Sequence, residues 1–190
     1  MKFASLFCFF LLLIGCSSPP IEKKTLRLSF QTTPTTLDPQ KSGDFTSSTL
    51  ICLLYEGLTR CSKEGGVELA LANQVQISTD GRCYTFYLRS SFWTDGHPVT
   101  AFDFEQSWKK IANPAFPSLS AHLLFPIKNG KQCVQGTLPP SALGVHALDA
   151  NTLFVELENP APYFLSLTAF PLFLPTPSYQ ENNDSHPIIS

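Results

Sequence analysis

Residues 92–104 read Phe92-Trp93-Thr94-Asp95-Gly96-His97-Pro98-Val99-Thr100-Ala101-Phe102-Asp103-Phe104, and this stretch decides the fold around it. Gly96 supplies a tight turn and Pro98 sets an extended approach. Thr100 then stands where a helix N-cap belongs, and Asp103, three residues on, completes a capping box. Phe104, Trp108 and Ile111 recur at helical spacing on one face, and Asn113-Pro114 stops the helix. The large side chains Phe92, Trp93, Phe104 and Trp108 are expected to pack where the turn meets this helix. The pattern is that of a scaffold, not of a catalytic site.

Working outward, two hairpin signatures flank the helix. Upstream, Val75 and Ile77 lead into Asp80-Gly81, and Tyr84, Phe86 and Leu88 alternate out of it. Downstream, Val145 and Ala147 lead into Asp149-Ala150-Asn151, followed by Leu153, Val155 and Leu157. Two hairpins around a helix predict an α+β unit with an antiparallel sheet. Leu50, Leu53 and Leu54 predict a short helix over Ser48 to Glu56, with Gly57 at its C-terminal cap. Leu26, Leu28 and Phe30, alternating with Arg27, Ser29 and Gln31, predict a half-buried strand closed by a turn at Thr36-Leu37-Asp38-Pro39. Residues 160–177 are rich in Phe and Pro, and prolines interrupt the run throughout, so it reads as a buried helix-and-loop stretch.

At the N-terminus one lysine, Lys2, precedes an apolar run from Phe3 to Ile14, too short for a spanning helix, which needs roughly 18 or more apolar residues. This is an export signal over residues 1–15. Leu13-Ile14-Gly15-Cys16 resembles a bacterial lipobox, in which a small residue precedes a thiol that receives a lipid; Cys16 is the expected lipid attachment site. Residues 16–23, rich in Ser and Pro, are expected to form a tether. Cys52, Cys61, Cys83 and Cys133 lie at no metal-ligand spacing and allow three disulfide pairings in an oxidising compartment. The formal net charge of −2 excludes a nucleic-acid partner held by a basic surface.

The order and wording of these pieces resemble the periplasmic solute-binding proteins of oligopeptide and dipeptide ABC transporters. The matching pieces are Thr36-Leu37-Asp38-Pro39, Leu54-Tyr55-Glu56-Gly57-Leu58 and Tyr84-Thr85-Phe86-Tyr87-Leu88-Arg89. The run from Phe92 through Trp108 to Asn113-Pro114 follows, and then Gly144-Val145 and Pro160-Ala161-Pro162-Tyr163-Phe164. The resemblance implies an incomplete periplasmic-binding-protein-like (type II) fold: the first strand of lobe I plus the small antiparallel β-rich domain with helices. The implied layout is residues 24–45 as the start of lobe I, 46–175 as the small α+β domain and 176–190 as a tail. Family members close two lobes on the ligand and are considerably longer, so the resemblance also implies a truncated form with little independent ligand binding.

Ser42, Gly43, Asp44 and Phe45, with Phe116 and Ser118, occupy the places from which family members contribute ligand contacts from this side. The implied partners are an oligopeptide or related small solute, an ABC transporter permease and the membrane through lipid on Cys16, with the body facing the periplasm or the extracellular side. No cofactor or metal is implied. Two other readings stand beside this one. The first is a surface structural or interaction lipoprotein that has lost solute binding. The second is an enzyme, which the lack of a Gly-x-Ser-x-Gly elbow, a His-Glu-x-x-His helix or a glycine-rich phosphate loop argues against.

Overall fold

The structure, a computed structural model, describes residues 25–180. The signal, Cys16 and the tether therefore lie outside the described residues. Residues up to Gln31 form one unit and residues from Thr32 a second. In the first, residues 25–31 carry no strand, and Leu26 and Leu28 are exposed. Alternation specifies two faces but not a partner, and a strand exists only where a neighbour completes its ladder. The expected first strand of lobe I is therefore not formed within these residues.

The second unit begins with α1 (Phe45–Leu54), β1 (Thr59–Cys61), β2 (Val67–Leu69), β3 (Ala72–Ile77) and β4 (Cys83–Leu88). It continues with α2 (Ala101–Ile111), α3 (Gly130–Val134), β5 (Val145–Asp149), β6 (Thr152–Glu156) and α4 (Phe164–Leu167). Strands β3, β4, β6 and β5 form one antiparallel sheet in that order, and β1 and β2 form a separate hairpin. Both expected hairpins are present, and Gly81 takes the positive φ of 69° that the first turn demands. In β4, Tyr84, Phe86 and Leu88 turn inward while Cys83, Thr85 and Tyr87 are partly exposed, the alternation the sequence predicts.

Helix α2 covers the sheet. Asp103 Oδ2 accepts from the Thr100 amide at 2.7 Å and from its hydroxyl at 3.2 Å, closing the expected cap. The helix start docks on the β5–β6 turn, where the Ala101 amide donates to the Ala150 carbonyl at 2.8 Å. Phe104, Trp108 and Ile111 are buried in one core with Phe86, Leu153 and Val155. The rings continue across the core: Phe104 and Phe173 each meet Trp108 edge-to-face, at 6.4 and 5.1 Å, and Phe164 meets Tyr84 at 5.0 Å. The Phe- and Pro-rich stretch is buried as expected, through Phe164, Leu172, Phe173 and Leu174.

Three sequence expectations are corrected in this unit. Phe92 does not join the core: it is 61% exposed, because its bridge to Pro98 turns it away from Trp93, which is buried. Helix α1 starts at Phe45 and ends at Leu54, and it buries Thr46, Ser47 and Ile51, while Leu53 is 55% exposed. The helix ends in an extended Tyr55, so Gly57 is not its cap. Gly57 instead sits in tight quarters, since a Cβ there would lie 3.1 Å from the carbonyls of Thr59 and Thr168. Among the described residues the four cysteines are free thiols, and Cys133 is buried with its thiol donating to the Pro139 carbonyl.

Candidate ligand-binding face

The loop nominated from the sequence, residues 42–45, leads directly into α1, and its side chains divide their work. Asp44 is the N-cap: its carboxylate accepts from the Ser47 amide at 2.8 Å, from the Ser47 hydroxyl at 2.6 Å and from the Thr35 hydroxyl at 2.6 Å. The Ser47 contacts, hydroxyl first, and then Thr35 stabilise the anion and hold its pKa at about 2. Ser47 in turn receives the amides of Thr35 and Thr36, at 3.0 and 3.3 Å. Asp44 is thus committed to holding the incoming segment onto the helix.

Ser42 shares a hydrogen bond of 2.9 Å with Ser48, one turn into α1. Both hydroxyls face a cleft of about 160 Å³ lined by Ser42, Gly43, Ser48, Ser120, Leu123 and the segment Phe170–Leu172. Gly43 lies close under Leu119, and a Cβ there would fall 2.7 Å from Leu119 Cδ1. Phe45 is 84% exposed, Leu119 77% and Phe170 51%, so three large apolar side chains project beside the cleft. The arrangement offers hydroxyl hydrogen bonds and apolar contact.

Phe116 and Ser118 are adjacent to this cleft but do not line it. The Phe116 ring lies 5.8 Å from the Lys41 ammonium and 5.4 Å from that of Lys110. Ser118 donates its amide to the Phe116 carbonyl, and its buried hydroxyl has no hydrogen-bond partner among the described residues. Of the six nominated residues the fold therefore brings Ser42 and Gly43 into the cleft, uses Asp44 as a cap and exposes Phe45. Ser120, Leu123 and Phe170–Leu172 carry no local signal in the sequence; only the tertiary fold places them here.

Elsewhere, His97 and Asp95 meet within one turn at 3.2 Å, and the Arg89 guanidinium pairs with Glu56. Among the described residues, no group of three His, Cys, Asp or Glu side chains is placed to hold a metal ion, and no helix is long and apolar enough to cross a membrane.

A family model described as "Bacterial extracellular solute-binding proteins, family 5 Middle" matches residues 66–190, and the chain belongs to this family of exported binding proteins. It is 39% identical over 154 residues to the oligopeptide-binding protein OppA of Bacillus subtilis, covering 80% of this chain and 28% of that protein. It is 36% identical over 169 residues to the probable deoxycholate-binding periplasmic protein YgiS of Escherichia coli, covering 87% of this chain and 32% of that protein. Among solved structures, Listeria monocytogenes OppA bound to peptide superposes with a TM-score of 0.76 at 35% identity, over 77% of this chain and 29% of that one. The oligopeptide ABC transporter substrate-binding domain of Bacillus anthracis gives 0.75 at 40% identity, over 78% and 29%. The fold is thus a partial type II periplasmic-binding-protein fold, and the chain spans about 30% of the length of its relatives.

Proposed function

We propose that this chain acts in a solute-binding component of a peptide ABC transporter, held at a membrane surface by lipid on Cys16. In this reading residues 24–45 open the larger lobe, residues 46–175 are the smaller domain, and residues 176–190 lead away from it. Ser42, Gly43 and Phe45, together with Phe116 and Ser118, stand on the ligand-facing side. Family membership with peptide-binding relatives carries the reading. The cleft between Ser42 and Phe170 supports it, as a shallow wall with hydroxyls and apolar groups that suits peptide backbone and side chains.

In this reading the cleft of residues 42–172 is one wall, and burial of a solute needs a second. The purified chain titrated with oligopeptides in a calorimeter is therefore expected to show little or no heat of binding; micromolar or tighter affinity overturns the one-wall reading. Anchoring is tested separately. Cells expressing the chain incorporate labelled palmitate into it, and the Cys16→Ser variant does not; equal labelling of the two removes Cys16 as the attachment site.

A further inference from the structure

Between the 3-10 turns Pro171–Phe173 and Ser178–Gln180 the chain runs without regular structure, yet residues 173–179 are fastened along their length. Trp108 Nε1 donates to the Phe173 carbonyl at 3.0 Å and Ser107 Oγ to the Leu174 carbonyl at 3.0 Å. Gln40 Nε2 reaches Thr176 Oγ1 at 3.4 Å while also donating to Ser107 Oγ at 2.7 Å. The Ser178 amide donates to Asp103 Oδ1 at 2.8 Å. Finally Tyr179 donates its hydroxyl to Asp95 Oδ2 at 2.7 Å and stacks its ring on His97, with centroids 4.4 Å apart. Pro175 and Pro177 bring no amide that needs a partner.

We infer that Asp103 is the positioning residue of an outgoing strap, using one carboxylate oxygen to cap α2 and the other to fix Ser178. Asp103 is buried, and a buried carboxylate is tolerated only when its oxygens are well supplied with donors. Oδ2 receives Thr100 at 2.7 Å and Trp93 Nε1 at 3.4 Å, which leaves Oδ1 for the strap. The strap therefore takes its place when the helix start does. Gln40 adds the second half of the device, because it ties the incoming segment to the same helix and to the strap. The incoming and outgoing segments are thereby tied to one helix.

Hydrogen exchange of the full chain, resolved to single amides, tests this. The Ser178 amide is expected to exchange as slowly as those of α2. Asp103→Asn is expected to speed it by about tenfold or more while the β4 and β6 amides of Phe86 and Leu153 change by less than about twofold. Tyr179→Phe, which removes only the outer bond, leaves Ser178 slow. Free-peptide exchange at Ser178 in the unaltered chain overturns the inference. So does equal acceleration of Ser178 and the sheet in Asp103→Asn, which would make the carboxylate a general stabiliser only. Should Asp103→Asn fail to fold, Ser178→Pro removes the strap's amide donor while leaving Asp103 in place: loss of the Tyr179 ring-current shift at His97 supports the inference, and an unchanged shift overturns it.

Discussion

The indole nitrogen of Trp108 donates to the Phe173 carbonyl at 3.0 Å, and the ring of Phe173 stands edge-on to that of Trp108 at 5.1 Å. One residue thus supplies both the packing and the polar partner of its neighbour. Trp108→Phe preserves an aromatic ring but orphans a buried carbonyl and leaves a void. It is expected to cost about 2–4 kcal/mol, read as a lower urea midpoint with an unchanged slope.

Gly130 opens α3, where alanine is ordinarily the better helix former. Here propensity loses to space, since a Cβ on Gly130 would fall 2.0 Å from the Leu124 carbonyl oxygen. Gly130→Ala is expected to destabilise by about 1–3 kcal/mol in thermal unfolding, and a gain in stability would contradict the close approach.

Asp44 titrates at about 2 in the folded chain against a reference of 3.8. A depressed pKa means that its cap is fully present above the reference value and is lost as pH falls toward the folded one. The Ser47 amide resonance is therefore expected to move with a midpoint near 2, accompanied by fraying of the first turn of α1, and Asp44→Asn abolishes that titration.

At the alkaline end Tyr55 is pushed up to about 12, by burial first and then by the Asp38 carboxylate. A raised pKa means the contribution is intact below the unfolded value and is lost as pH rises through the folded one. Stability is expected to decline between about 10 and 12, and Tyr55→Phe flattens that decline in urea titrations run at each pH.

Lys128 and Glu156 form a pair at 2.8 Å with both side chains substantially exposed. Solvent screens such a pair, so Lys128→Ala is expected to shift stability by less than about 1 kcal/mol, well below the effect of Trp108→Phe in the same assay.

Helix α2 and both long hairpins were legible because each carries two agreeing signals: a cap with a helical stripe, or alternation with a turn that tolerates positive φ. Helix α1 was legible as an element but not as a face. Its buried side carries Thr46 and Ser47, which are bonded to Thr32, Asp44 and Thr35, so counting leucines pointed to the wrong stripe. The β1–β2 hairpin went unread because strands of three residues are too short for alternation, although Gly65 and Gly66 do mark its turn with positive φ. In the cleft, Ser42 and Gly43 could be nominated from their place in the chain. Ser120 and Phe170 could not, since what selects them is the way residues far apart in sequence meet.

The strand order β3-β4-β6-β5 also bears on how the chain reaches its native state. Each hairpin closes locally, but the sheet does not exist until β4 meets β6, with Cys83 opposite Glu156. The cost of closing that loop falls due before the core can repay it. Refolding is thus expected to be set by a non-local encounter, on the slow side of the microsecond-to-second range of small domains. Until it happens, the inner edges of β4 and β6 stand unpaired, which makes the newly exported chain most vulnerable to aggregation during that interval.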